Sequence, residues 1–386
     1  MIRRETAAPP PTLRRLDLDN LRNIAVLLLI VFHTARLFDS EAWHIKDSGR
    51  YAWADGIVRL LNQWQMPLLF LLAGMAAWHA LERNGVAAFL RERVMRLFVP
   101  LVAGIFIAVY PQVYVERIAA GAPGRTSPID FAGGPLDFLP RFFDCCYPQA
   151  NFSYHHLWFI WYLLAYSMVL APLFVLSRRP PARGILAASA EGVDSAARLM
   201  LLGVPLVAIE ILLRPAYPST HAFADDWANH AHFLFLVFLG WWLARSPRTA
   251  AALAAGWRGF FAAALGLTVL WTVRADALPG ALLGRGLRHA GEWFWLLALL
   301  GLARRHLDRP IPALSAFTRY AFTFYIVHQA VIVILGWWWL GWASSPVLKF
   351  AAIAAAGLAG SLLFCRLVDT HPLLRFLFGL KPRRAA

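Results

Sequence analysis

The sequence predicts an all-α protein, a polytopic transmembrane helical bundle of about ten spans with both termini cytoplasmic. Three observations carry that prediction. Of 386 residues, 59% are hydrophobic and only 15% are charged, with a mean hydropathy of +0.54. A soluble domain carries about 25% charge. The apolar residues gather into runs of membrane length, and the arginines collect between the runs. The 17 Trp and 27 Phe fit the aromatic belts that anchor helices at membrane interfaces.

Taken in order, spans are expected near 21–38, 57–80, 97–117, 156–176, 199–217, 230–245, 257–275, 289–304, 318–340 and 347–368. Residues 1–15 form a basic, proline-rich cytoplasmic tail, 16–370 the transmembrane domain, and 371–386 a basic cytoplasmic tail. The first run is too long for a secretory leader, follows RRLDLDNLR and lacks a small-residue cleavage site, so it reads as a retained span. With the N-terminus inside, the cytoplasmic face gathers Arg3, Arg4, Arg14, Arg15, Arg83, Arg91, Arg93, Arg96, Arg178, Arg179 and Arg183. Arg245, Arg248, Arg304, Arg305, Arg309, Lys381, Arg383 and Arg384 join them. The other face has only Lys46, Arg50, Arg125, Arg141, Arg285 and Arg288, so the positive-inside bias puts both termini in the cytoplasm.

The net charge of +15 is thereby explained by topology and the lipid bilayer, and no nucleic-acid partner is expected. Cys145, Cys146 and Cys365 offer no C-x-x-C spacing and no disulfide framework. The longest outer loop, about 118–155, carries Asp130, Asp137, Asp144 and Tyr147 and is long enough for a lid. There is no internal repeat of the kind that builds inverted-repeat transporters.

The chemistry begins in LDLDNLRNIAVLLLIVFHTARLF, residues 16–38. Eleven residues separate Arg22 from His33. On a helix this puts them within about 20° of one face and about 16 Å apart along the axis. Asp19 lies one turn before Arg22, in reach of an ion pair. Ionisable groups inside a membrane face a bundle interior or a wet cavity. The spacing alone is equally compatible with a plain anchor at Arg22 and a packing residue at His33.

Leu18, Asp19, Leu21, Arg22, Ala25 and His33 together resemble the first helix of the acyltransferase-3 family of integral membrane acyltransferases. Four further stretches resemble the family in the right order: MPLLFLLAG (66–74), RERVMRLFVP (91–100), HHLWFIWYLL (155–164) and RYAFTFYIVHQ (319–329). AWHIKD (42–47) and HPLLRFLFGLK (371–381) are similar to the branch that modifies periplasmic glucans. Ala73 stands where the family often has Ser, and Gln63 and Gln65 lie where relatives often carry His and Arg.

The resemblance implies an acyltransferase of groups other than amino-acyl groups, multi-pass in the bacterial inner membrane. It would move a succinyl or acetyl group from cytoplasmic acyl-CoA to a hydroxyl of an extracytoplasmic glycan. Acyl-CoA and the glycan are then the partners, with other membrane proteins of glucan biosynthesis as candidates. No tightly bound cofactor is implied. His33 is the general base, because a sugar hydroxyl needs one at neutral pH. Asp19 and Arg22 belong to the same catalytic helix. Arg93 and Arg96, one turn apart, face the CoA phosphates, which the planar guanidinium suits; anchoring alone also explains them. His156 and Trp158 are acceptor-side candidates, although an aromatic at an interface is the plain expectation. Tyr325 and His328, three apart on one face, would line an acyl path or orient His33.

The loop STHAFADDWANHAH (219–232) holds His221, Asp225, Asp226, His230 and His232, but its spacing fits no zinc pattern, and no metal is expected. Glu210 and Glu292 lie in apolar surroundings without an assigned role. A transporter or flippase without chemistry is the alternative, since intramembrane Arg and His also mark translocation paths.

Overall fold

The computed structural model describes residues 15–119, 121, 124–274 and 281–381. Arg3, Arg4, Arg14, Arg383 and Arg384, with most of the N-terminal tail, lie outside the described residues. The helices are α1 (Leu16–Ala35), α2 (Ala52–Asn84), α3 (Val86–Ile118), α4 (Pro135–Phe142), α5 (Trp158–Val169) and α6 (Ala171–Leu176). They continue as α7 (Pro180–Glu191), α8 (Ala196–Leu212), α9 (Trp227–Leu243), α10 (Pro247–Arg274) and α11 (Ala281–His306). The last are α12 (Pro312–Phe317), α13 (Ala321–Trp339), α14 (Pro346–Val368) and α15 (Pro372–Leu377). Among the described residues there is no strand.

Helices stand at all ten expected places, but among the described residues six are long and apolar enough to cross a membrane: α1, α2, α3, α10, α13 and α14. The other four differ for physical reasons. The 156–176 run breaks between α5 and α6. α7 and α8 form a pair bent by 112°, which would count as a seventh span if taken together. α9 has 17 residues. α11 carries Arg285, Arg288, His289 and Glu292 in its first half, which dilute its apolar character. Exposed Val94, Met95, Phe98, Val102, Phe106 and Ile107 on α3 form a face suited to lipid.

Prolines shape α3. Two π-helical turns, Val94–Phe98 and Ile105–Val109, immediately precede Pro100 and Pro111. A proline ring clashes with the carbonyl four residues back and donates no hydrogen bond, and a widened turn relieves both problems. Thus RERVMRLFVP is locally widened, with Arg96 inside the π-helical turn and Arg93 just before it. The stretch 371–381, expected as part of a tail, is docked instead: α15 packs on α3, and Arg375, Phe378 and Leu380 are buried.

Polar side chains fix how α1 is rotated. The Asn20 amide donates to the carbonyls of Leu307 (2.8 Å) and Arg309 (2.9 Å). That of Asn23 donates to Leu314 O (2.9 Å) and Thr318 Oγ1 (2.6 Å). Gln65 donates to Ala25 O at 2.8 Å, and Gln63 bonds Arg288 O (2.9 Å) and accepts from Thr268 (2.8 Å). The two glutamines that depart from the family pattern are therefore interhelical ties.

Gly74, the end of MPLLFLLAG, lets α2 and α9 touch backbone to backbone. A Cβ there would sit 2.1 Å from Val237 O, and one on Gly240 would sit 2.0 Å from Leu71 O. Gly240→Ala is expected to destabilise the bundle by about 1–3 kcal/mol, because the helices must separate. Thermal unfolding in detergent reads this out; an unchanged midpoint would show that the crossing is not tight.

Candidate active site

His33 occupies the last turn of α1 and is half-buried. Its ring stacks on Trp43 (centroids 5.8 Å, planes 20° apart) and meets Phe32 edge-on at 4.9 Å. Two more imidazoles close around it. His328 of α13 lies 5.0 Å away and His156 lies 6.5 Å away, with 5.5 Å between those two.

Backbone carbonyls set the proton positions of the two partners. His156 Nε2–H donates to Ile326 O at 2.8 Å, and His328 Nδ1–H donates to Tyr325 O at 2.7 Å. In a neutral imidazole the second nitrogen is then a bare acceptor. Those acceptors, His156 Nδ1 and His328 Nε2, are buried and have no protein partner, and neither has His33 Nδ1. Buried polar atoms are almost always paired, so three orphans in one place mark a site that takes donors from a ligand or water. Hydroxyl groups are such donors.

The Tyr325 hydroxyl donates to the carbonyl of His156. It therefore ties α13 to the short 3₁₀ turn His155–Leu157. Trp158 is buried against Phe70, Tyr162, His221 and Phe233, with centroids 4.5–5.7 Å away. Its ring is packed among those aromatic side chains.

A second layer contains residues that the sequence reading did not single out. His44 Nδ1–H donates to the buried Glu116 carboxylate at 2.5 Å, and the Gln329 amide donates to His44 Nε2 at 3.2 Å. Glu116 also accepts from the Tyr147 hydroxyl and the Ser127 N–H, both at 3.2 Å, and lies 3.4 Å from Arg117. Burial, reinforced by Glu116, pushes the Tyr147 phenol far up, so it stays a proton donor. The His155 ring fits between His44 (4.7 Å) and Tyr147 (4.4 Å). Its backbone takes φ 39°, a left-handed conformation unusual for a side-chain-bearing residue and typical of functional turns.

Residues 36–51 carry Trp43 and His44 into place. Asp39 pairs with Arg36 and Lys46, and Asp47 pairs with Lys349 of α14 at 2.9 Å. Burial lowers the Lys46 ammonium to about 8. The Trp43 N–H donates to Gly124 O, and its carbonyl accepts from Thr126 N–H, both at 3.0 Å. AWHIKD thus holds the wall of the site and its anchor in one hexapeptide. His44 was within reach of sequence reasoning through that motif. Glu116 was not, because an acid ending an apolar run looks like any interfacial charge.

Arg22, Asp19, Arg93 and Arg96 are not brought to the histidines. Arg22 pairs with Asp19 at 3.2 Å near the start of α1, about 16 Å along the helix from His33. Arg93 lies 4.8 Å over the Phe89 ring, and Arg96 pairs with Glu92 at 2.9 Å. Asp19 and Arg22 therefore share the helix of His33 but do not touch its ring.

Of the loop 219–232, His221 packs on Trp158, and His230 bonds Tyr166 (3.0 Å) and Phe223 O (2.7 Å). His232 goes elsewhere. With Glu210 and His289 it forms a group whose ligand atoms lie within 4.8 Å of one another. The loop's own spacing led to the expectation of no metal; this group takes only His232 from the loop. Three separate helices supply the group, so no local spacing could announce it.

An all-helical bundle with membrane-length spans defines a multi-pass membrane protein, and the three imidazoles give it a cluster of buried nitrogen atoms without protein partners. The chain belongs to the acyltransferase-3 family, whose profile, described as an acyltransferase domain, matches residues 15–366. It is similar to glucans biosynthesis protein C from Escherichia coli strains SMS-3-5 / SECEC and K12, 26% identical over 120 residues. That match covers 30% of this chain and 31% of the relative, so the chain spans about a third of the length of the curated relatives it matches. No solved structure matches the chain significantly.

Proposed function

We propose that the protein is an O-acyltransferase of the bacterial inner membrane, with both termini cytoplasmic. It moves a succinyl or acetyl group from cytoplasmic acyl-CoA to a hydroxyl of an extracytoplasmic glycan, a periplasmic glucan. The observation that carries this reading is the set of three imidazoles with ring centroids within 6.5 Å, each with a buried nitrogen that has no protein partner. Family membership supports acyl transfer, and the name of the glucan-biosynthesis relatives supports the acceptor class.

His33 is the one of the three that is not fully buried, so it is the one a substrate reaches. It accepts the proton of the sugar hydroxyl as the oxygen attacks the thioester carbon. The carbon–sulfur bond then breaks, and the imidazolium returns its proton to the departing CoA thiolate. His156 and His328 accept hydrogen bonds from neighbouring hydroxyls and hold the sugar in register. Arg22, Arg93 and Arg96 bind CoA phosphates at the opposite end of the helices. The acyl group must bridge the about 16 Å between these levels.

Mass spectrometry of periplasmic glycans from cells with and without the protein tests this. Acyl increments that vanish with the protein support it and identify the group. Normal acylation with lost glycan export would instead favour a transporter. Arg93→Ala and Arg96→Ala are each expected to raise the KM for acyl-CoA about tenfold with kcat nearly unchanged, the equivalent of about one charge-assisted hydrogen bond. Steady-state kinetics in detergent reads this split, and an unchanged KM would remove both residues from the donor site.

A further inference from the structure

We propose that Glu210, His232 and His289 form a divalent-metal site of the zinc class between α8, α9 and α11, with Glu292 as the carboxylate that orients both imidazoles. All four side chains are buried, at 1%, 2%, 8% and 3% exposure in that order. They belong to no step of the proposed acyl transfer.

The four residues close a ring in which acids and imidazoles alternate. Glu292 accepts from His232 Nε2 at 2.7 Å through one oxygen and from His289 Nδ1 at 2.8 Å through the other. Hydrogen bonds of that length put a proton on each of those nitrogens. The second nitrogen of each neutral ring is then a lone pair, and both lone pairs turn to Glu210. His232 Nδ1 lies 3.1 Å from its Oε1, and His289 Nε2 lies 3.3 Å from its Oε2. His232 Nδ1 is buried and makes no well-formed hydrogen bond. Lone pairs set against carboxylate oxygens repel unless a cation lies among them.

This arrangement has the two shells of a metal site. Two imidazole nitrogens and one carboxylate are the inner ligands, and a water would supply the fourth position. Metal-binding histidines characteristically donate their other N–H to a carboxylate, and here one carboxylate serves both. Arg214 clamps Glu210 through two bonds of 2.8 Å and reaches Asn229 at 2.6 Å, which fixes the plane of the ligand carboxylate. With neutral imidazoles, two carboxylates and one guanidinium leave a net negative charge, which a divalent cation offsets. The site would tie α8, which follows the 112° bend, to α9 and α11.

The test uses the full-length protein, purified in detergent from zinc-supplemented cells and desalted, with metal measured by mass spectrometry of the elements. Stoichiometric zinc is expected in the wild type. It should be lost in His232→Ala/His289→Ala. In Glu292→Gln, which keeps the side-chain shape, zinc affinity should fall roughly 10–100-fold. Protein stripped by chelator and reloaded with Co²⁺ should gain visible absorption and recover its melting temperature. Wild-type protein that is metal-free as purified, with a melting temperature indifferent to added Zn²⁺, would overturn the site, and protons would then hold the ring. Zinc retained by a folded His232→Ala/His289→Ala variant would overturn it equally.

Discussion

His33→Ala is expected to reduce glycan acylation 10²–10⁴-fold while the protein stays in the membrane at its normal level, the range for removing a general base. The structure explains why the loss should fall on chemistry rather than on folding. His33 is half-buried, and its Nδ1 has no hydrogen-bond partner, so alanine leaves no buried group stranded. What remains is the loss of contact with Trp43, Phe32 and the two neighbouring imidazoles. His328 provides the contrast. Its Nδ1–H bonds to Tyr325 O, so His328→Ala leaves helix packing disturbed and removes a hydroxyl acceptor, but keeps His33. Its expected loss is smaller. Mass spectrometry of the glycans, with immunoblots of the membrane fraction, separates the two. Acylation that persists in His33→Ala at normal protein level would make His33 a packing residue, and the mechanism would fail even though the family stands.

The second large effect is expected from Glu116→Gln. The substitution keeps the volume but removes the charge that accepts from His44, Tyr147 and Ser127. A glutamine oxygen can still accept from His44, but its amide adds donors where the pocket already supplies donors. It also leaves Arg117 without its neighbouring charge, although Arg117 keeps Asn151 Oδ1 (2.6 Å) and Ala150 O (2.8 Å). Breaking a buried charge pair by removing one partner costs about 3–5 kcal/mol. The wall of the site that carries Trp43, and with it the stacking of His33, should loosen. A fall in kcat of about 10²-fold is expected, the range by which positioning errors reduce turnover, with little change in the KM for acyl-CoA. His44→Gln should reproduce the kcat loss with a smaller stability cost. If both variants turn over normally, the dyad only packs the loop.

How much of this was legible in the sequence differs from element to element. His33 stood out in the sequence because an imidazole in an apolar run is costly and because it matches the family motif; the structure places it in the last turn of α1. Arg22 was found from the same helix, and the arginines at span ends from their asymmetry. His156 and His328 came from motif resemblance, and the structure adds how carbonyls fix their proton positions. Trp158 was read from the same motif, and an aromatic at a helix end reads alike whether it faces a sugar or a buried aromatic cluster. Hydropathy averaged over a window also does not register the break inside 156–176 or the 112° bend that precedes the 199–217 run.

By itself, then, the sequence determined an all-helical membrane bundle, its apolar segments, its basic ends and one titratable residue at depth. These are properties of single segments, readable within about 20 residues. Only the tertiary structure decided the pairing of His44 with Glu116, the triangle of His33, His156 and His328, and the ring of Glu210, His232, Glu292 and His289. Those groups join residues that are 72 positions apart in the case of His44 and Glu116, and 60 apart in the case of His232 and Glu292. Their meeting depends on where helices cross and how each is rotated. Contacts such as Gly74 against Val237 and Asn20 against Leu307 set those crossings, and no local pattern in the chain encodes their geometry.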